Sequence, residues 1–321
     1  MRFAFSKRWY TGNTKCIHRC ALGIITYKPI KSDGWSDYAL LDCGNKRKLE
    51  RFGGVTLDRF EPDARWEPAL DSHDWQTADY RYVPGKSDNA GQWQPDRHSA
   101  KDWELNLDKL KISLRLSKSR HIGIFPEQLE NWRWLHETIK TRNEPIQVLN
   151  LFAYTGIATL YCAHAGACVT HVDASRSAVE LGKKSQISSG LENKPIRWII
   201  DDAKKFTQRE IRRGNRYHGI ILDPPLFGRG PKGEVWKFDE DMAELLTLLK
   251  ELLSQRNGFI LITAYNINLS SDRVAQFVAK MIPDKMGPIE HGPLIQVASS
   301  SRRELEQAVY VRWKSNEGVG G

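Results

Sequence analysis

Four short stretches carry residues whose types and spacing suit group transfer from a nucleoside-bearing donor. An apolar run at 147–153 leads into Phe152-Ala-Tyr-Thr-Gly156, a turn with a single glycine. Asp173 ends the next apolar run about 20 residues beyond that turn, where a carboxylate can accept both hydroxyls of a ribose. Asp201-Asp202 closes the run after that, and Asp202 is placed to accept an adenine amino group. Asp223-Pro-Pro-Leu-Phe227 closes a fourth. A lone strand-ending aspartate reads more simply as a helix cap, and Gly156 alone as a tight turn. Three acids at three successive strand ends, with the turn after the first, make a binding site the better reading.

The fourth stretch suggests the chemistry. Pro224 and Pro225 lock the backbone and remove two N–H donors. The strand-end carbonyls and the Asp223 carboxylate are then left as acceptors. An amine or ring N–H that donates to them keeps its lone pair free for an in-line displacement, a reaction driven largely by positioning. Phe227 can stack on a planar base held beside them. Rigid loop punctuation is the plainer reading of Pro-Pro. Asp223, Pro224, Pro225 and Phe227 are the expected catalytic set. The turn selects the donor. A dinucleotide needs several glycines so that backbone N–H groups can approach its pyrophosphate. One glycine among Phe, Tyr and Thr suits S-adenosylmethionine (SAM), which has no phosphate and whose sulfonium tolerates carboxylates and aromatic faces.

These positions need a scaffold, and the surrounding periodicity supplies one. Strands are predicted at 147–153, 168–172, 196–200, 218–222 and 259–263, with a closing hairpin of 289–298 and 308–313. Helices are predicted at 129–139, 158–165, 177–188, 204–213, 240–253 and 274–281, the third opened by a capping box between Ser177 and Glu180. Such alternation implies a doubly wound α/β sheet that binds ligands at the carboxyl ends of its strands. Upstream, a hairpin at 38–57 turns at Cys43-Gly44-Asn45. Trp66, Trp75 and Trp93 fill a thin core or, alternatively, stack bases. Residues 86–91 read as a loop and 105–116 as a β segment. The expected division is a basic extension (1–33), a small N-terminal β-rich module (34–104) and an α/β domain (105–321).

The net charge of +9 and pI of about 9.2 favour a polyanionic partner such as RNA. Residues 1–33 hold Arg2, Lys7, Arg8, Lys15, Arg19, Lys28 and Lys31 with no acid before Asp33. A targeting peptide and an RNA-binding arm are both open, and an unstructured extension is the plainest reading. The segment Phe227-Gly-Arg-Gly-Pro-Lys-Gly233 offers Arg229 and Lys232 to phosphates. Cys16, Cys20, Cys43, Cys162 and Cys168 show no C-x-x-C pairing, so neither a disulfide framework nor a metal site is expected. No run is long enough to span a bilayer, and a cytoplasmic protein is expected. Oligomeric state stays open. Methylation at carbon-5 of a pyrimidine needs an attacking thiolate. Neither 223–227 nor 263–267 contains a cysteine, which points to a base nitrogen, of guanine or adenine.

From about Tyr38 onward the chain resembles the bacterial class I SAM-dependent rRNA methyltransferases, near the large-subunit methyltransferase I and K group. The resemblance rests on Gly123-Ile-Phe-Pro-Glu-Gln128, Leu149-Asn-Leu-Phe-Ala-Tyr-Thr-Gly156, His171-Val-Asp-Ala-Ser175, Asp201-Asp-Ala203 and Leu222-Asp-Pro-Pro-Leu-Phe-Gly228. It implies a seven-stranded, Rossmann-like sheet with a reversed last strand. It also implies SAM contacts from Phe125 and Gln128, from the turn residues Asn150, Phe152, Ala153, Thr155 and Gly156, and from Asp173 and Asp202. The implied reaction is methylation of RNA, with rRNA as the partner. Two features depart from that group: no PUA-type pattern precedes Tyr38, and the helix after Asp173 reads Gly182-Lys-Lys-Ser-Gln186. Methylation of a protein or small molecule is an alternative. So is a catalytically silent SAM-binding assembly factor, and an NAD-dependent oxidoreductase is a remote third.

Overall fold

The computed structural model describes residues 17–20, 23–32, 34–87, 90–94, 102–254, 256–265, 270–282 and 287–316. Arg2, Lys7, Arg8, Lys15 and Cys16 lie outside them, as do Asn266 and Ile267. Seven strands build the central sheet: β1 (Gln147–Leu151), β2 (Cys168–Asp173), β3 (Ile196–Ile200), β4 (Gly219–Leu222), β5 (Phe259–Tyr265), β6 (Ile289–Val297) and β7 (Glu304–Lys314). Their spatial order is β3-β2-β1-β4-β5-β7-β6. Strands β1 to β5 pair in parallel, and β7 runs antiparallel to both β5 and β6. The reversed last strand is therefore present.

Helices α1 (Leu129–Lys140), α2 (Ile157–His164), α3 (Arg176–Ser188), α4 (Ala203–Arg212), α5 (Phe238–Leu252) and α6 (Ser271–Met281) flank this sheet. Successive strand side chains point to opposite faces. Leu149, Ile220 and Ile260 pack with α4, α5 and α6, whereas Val148, Ile221 and Leu261 pack with α1 and α2. Burial on both faces is why these strands read as continuous apolar runs. Each such side chain contributes about 1.5–3 kcal/mol. Helix α3 is capped two residues earlier than predicted. Ser175 Oγ accepts the Ala178 N–H at 3.3 Å, because Ser175 still has extended backbone while Ser177 is already inside the first turn.

The expectation of an unstructured extension fails from Ile17 onward. Gly23–Tyr27 runs parallel to β6, with Ile25 opposite Ile289, and Ile17–Cys20 pairs antiparallel with it. Ile30–Ser32 continues along β6 opposite Leu294 to Gln296. The sheet thereby reaches 10 strands. Ile25 and Ile30 are buried, so apolar contact accompanies the backbone pairing.

A second sheet has five strands in sequential order: Tyr38–Gly44, Arg47–Phe52, Val55–Phe60, Tyr80–Ser87 and Ala90–Gln94. Its first turn falls at Asn45-Lys46, both at positive φ (49° and 59°), slightly later than predicted. That is the twist a two-residue hairpin requires. Most of the predicted 86–91 loop belongs to strands, residues 88–89 lying outside the described set. The 105–116 segment is a hairpin of Trp103–Leu107 and Leu110–Leu114. Trp66 and Trp93 donate their indole N–H groups to the carbonyls of Cys43 (2.7 Å) and Ser117 (2.8 Å), so both serve packing. Phe52, Leu57 and Tyr82 share one core with Leu105, Trp132 and Tyr161, which seats this sheet against α1 and α2. Among the described residues no helix is long and apolar enough to cross a membrane.

Candidate active site

The turn after β1 is the most contorted segment near the sheet. Phe152, Tyr154 and Gly156 take φ of 53°, 51° and 77°. A left-handed non-glycine residue costs about 1–3 kcal/mol and persists only where its surroundings enforce it. Here they do. Asp173 Oδ2 accepts the Tyr154 N–H at 2.7 Å, Val172 O accepts Ala153 N–H at 3.2 Å, and Thr155 Oγ1 donates to Gly123 O at 2.7 Å. Beneath the turn, Asn150 Nδ2 donates to Thr159 Oγ1 at 3.0 Å, and Thr159 Oγ1 meets His171 Nδ1 at 3.0 Å. A Cβ on Gly156 would lie 2.9 Å from His171 Nδ1. Both conformation and space therefore require glycine there.

The turn forms one wall of an open cleft enclosing about 470 Å³. Of the residues singled out from the sequence, Phe125, Gln128, Asn150, Phe152, Ala153, Thr155, Gly156 and Asp223 line it together. Asp173, Asp202, Pro224, Pro225 and Phe227 are not in its lining. Asp173 sits behind Tyr154, its second oxygen accepting Ser175 N–H at 2.8 Å. Each oxygen keeps a further lone pair. Burial raises the Asp173 pKa, against the pull of its two N–H donors. Asp202 caps α4 through Lys205 N–H at 2.9 Å, the plainer role available to it.

The loop after β4 departs from expectation. Phe227–Arg229 and Val235–Lys237 form a short hairpin that lays Trp236 over the prolines. The indole N–H of Trp236 donates to Pro225 O at 2.7 Å, which ties the second proline to the hairpin. Its ring also packs on Phe152 at 4.8 Å. Phe227 is 55% exposed on that hairpin. Asp223 remains an acceptor facing the cleft. Its Oδ1 accepts the Thr263 hydroxyl at 2.7 Å. Burial, with the charges of Glu127 and Asp173 adding to it, pushes its pKa up to about 7.

Sequence reasoning missed Tyr154, Trp236, Thr263 and Tyr265. The last two lie at the end of β5, and the strand-end rule that marked Asp223 also applies there. Phe125 lies between Tyr154 and Tyr265, with ring centroids 5.6 and 5.1 Å away. Gln128 is held between Tyr265 (3.2 Å) and Asn131 (3.0 Å). Among the described residues no lysine or arginine lines the cleft. An acid and aromatic rings without cations fit a sulfonium. No cysteine lines it either. Cys162 is buried in α2, and Cys168 starts β2 at the opposite end of the sheet.

The family model for S-adenosylmethionine-dependent methyltransferases matches residues 55–285. The fold superposes on the crystal structure of the SAM-dependent methyltransferase from Agrobacterium tumefaciens with a TM-score of 0.85 and 38% identity, covering 90% of this chain and 94% of that one. The ribosomal RNA large subunit methyltransferase K/L of Shewanella frigidimarina is 30% identical over 152 residues, which are 47% of this chain and 20% of that protein. The ribosomal RNA large subunit methyltransferase K of Neisseria meningitidis is 24% identical over 165 residues, 51% of this chain and 46% of that protein. The chain thus spans less than half the length of either relative.

Proposed function

Because this chain belongs to the S-adenosylmethionine-dependent methyltransferase family, we propose that it methylates a base nitrogen of RNA, with ribosomal RNA as the substrate class. The observation that carries this reading is Asp223, an oriented acceptor held by Thr263 beside a cation-free cleft. Bound in that cleft, SAM supplies an electrophilic methyl group on a sulfonium. Asp173 would take the ribose hydroxyls with its remaining lone pairs, and Asp202 the adenine amino group with the oxygen that α4 leaves free. Phe125, Gln128, Asn150, Phe152, Ala153, Thr155 and Gly156 would wall the donor in. The Asp223 carboxylate would accept the N–H of the target nitrogen and hold its lone pair toward the methyl group. Pro224 would keep the backbone rigid there, and Phe227 would meet the base or its neighbour from the hairpin.

RNA as the substrate is supported by the net charge of +9 and by the names of the relatives matched. Arg229 and Lys232 stand exposed on the hairpin beside Asp223, placed for phosphates. The experiment is mass spectrometry of rRNA nucleosides from cells with and without the gene. One N-methylated purine should disappear. An unchanged nucleoside profile, with labelled SAM marking a protein instead, would overturn the proposal.

Two further outcomes are expected. Asp173→Ala should weaken SAM binding by roughly 1.5–3 kcal/mol, the range for charge-assisted hydrogen bonds. It should also lower the melting temperature of the free protein, because the Tyr154 N–H loses its acceptor. Calorimetry in which NADH binds and SAM does not would reject the assignment. Replacing all five cysteines with serine should leave transfer within a few-fold of the parent in protein that folds, since burial pushes Cys43 up to about 11 and Cys162 higher still. A covalent complex with 5-fluorocytosine RNA, abolished by one Cys→Ser change, would refute nitrogen as the acceptor.

A further inference from the structure

A second, open pocket lies directly against the cleft. Its wall is assembled from four parts of the chain: Lys48 and Arg59 of the five-stranded sheet with Glu61 just after it, Arg120 and His121 ahead of α1, Tyr265 of β5 and Gln307 of β7. Ile124 and Phe125 line both spaces, so the two adjoin along these side chains. Thr263, bonded to Asp223, faces the cleft, and Tyr265, next on the same side of β5, faces the second cavity. Asp223 is within electrostatic reach of Tyr265 and of Glu127, both in this wall.

The formal charges of the wall cancel: Lys48, Arg59 and Arg120 face Glu61, Asp63 and Glu127. Most are already engaged. Arg59 is paired with Glu50 at 2.6 Å and donates to Arg120 O at 3.2 Å, and Lys48 lies 3.5 Å from Glu61. Arg120 uses one nitrogen on Phe60 O at 3.0 Å and keeps the rest of its fork. The ring nitrogens of His121 have no hydrogen-bond partner among the described residues, and the ring lies 5.3 Å from Phe125. Burial and the surrounding cations push the His121 pKa down to about 3, so the ring is neutral, with one donor and one acceptor. A phosphate would call for uncompensated cations. A neutral donor–acceptor pair on an aromatic platform, beside a free guanidinium edge, matches the face and edge of a heteroaromatic ring.

We infer that this cavity is the chamber for the acceptor base, entered by a single neutral planar ring turned out of its polymer, and that His121 and Arg120 read the ring's edge. The inference rests on the RNA reading and adds that the N-terminal sheet builds half of the acceptor pocket.

The test uses the full chain saturated with S-adenosylhomocysteine and titrated with 2-aminopurine riboside, whose fluorescence is quenched on stacking. Quenching should saturate. His121→Ala and Arg120→Met should each weaken binding by about 10-fold or more, the loss expected for unpaired polar groups. S-adenosylhomocysteine affinity should stay as in the parent in both, and the thermal melt should stay in His121→Ala. His121→Gln, which keeps a neutral donor and acceptor, should recover most of the binding. Riboside affinity unchanged in both variants overturns the inference. Displacement of the riboside by inorganic phosphate at constant ionic strength also overturns it, as does parallel loss of S-adenosylhomocysteine binding. If the riboside binds in a His121-dependent way while labelled SAM transfers nothing to RNA, the chamber stands and the RNA reading fails.

Discussion

Asp223→Ala is expected to lower turnover by about 10³-fold while changing SAM affinity by less than about three-fold, the pattern of a group needed only as the bond forms. The side chain faces the cleft and is already oriented by Thr263, so its removal leaves the cofactor walls in place and the target nitrogen without an acceptor. Equal loss of turnover and affinity would reassign Asp223 to cofactor binding. Its pKa of about 7 adds a pH signature. If the carboxylate is the working form, kcat/KM rises with pH through about 7. Asp223→Asn keeps one acceptor and cannot titrate, so that limb should vanish. Stability moves the opposite way. The folded pKa lies above the ordinary 3.8, so between those values the native state holds a proton that the unfolded chain has released. Stability therefore falls as pH rises from about 4 to about 7, by at most about 4 kcal/mol. Asp223→Asn should melt higher than the parent at pH ~8 and alike at pH ~4. Identical melting differences at the two pH values would contradict this.

Glu50→Ala is expected to cost about 3–5 kcal/mol, much of the ~5–15 kcal/mol by which a typical domain is stable. Glu50 is fully buried. It holds Arg59 at 2.6 Å, accepts the Tyr38 hydroxyl at 2.9 Å and lies 3.7 Å from Lys48. Tyr38 in turn accepts from Gln296 of β6 at 2.6 Å, and Lys48 donates to Gln307 of β7 at 2.9 Å. Removing the one carboxylate leaves the buried Arg59 guanidinium without its charge partner. The double change Glu50→Leu with Arg59→Met removes both charges together and should recover much of the loss. Denaturant titration of parent, single and double variants measures this. A double variant no better than the single would show that packing, rather than the orphaned charge, is what is lost.

The seven strands and six helices of the central domain were legible because parallel strands buried on both faces read as apolar runs, and because their acids fall where the runs stop. Glycine at 156 and Asp223 at its strand end marked the cleft for the same local reason. What stayed hidden depends on distant contacts. Ile25 and Ile30 sit in a stretch whose basic composition suggests no structure, and their partners on β6 lie near the other end of the chain. Trp236 takes the Pro225 carbonyl through a hairpin whose strands are three residues each, too short to show a period. Asp202 reads equally well as cap or ligand, because the cap leaves one oxygen free. Glu127 and Glu50 are buried acids, and nothing in their neighbours marks them as other than surface residues.

The pairing of Gly23–Tyr27 with β6 sets a timetable for biosynthesis. Ile25 leaves the ribosome long before Ile289 exists, and at ~5–20 residues per second the wait is roughly ten to fifty seconds. Until then that strand has its hairpin partner Ile17–Cys20 alone, and a lone hairpin is marginal in water. The five-stranded sheet and the parallel core can form during synthesis, whereas this edge closes only after β6 and β7 are made. Throughout that interval the nascent chain presents an unpaired strand edge, the kind of surface on which non-native pairing starts.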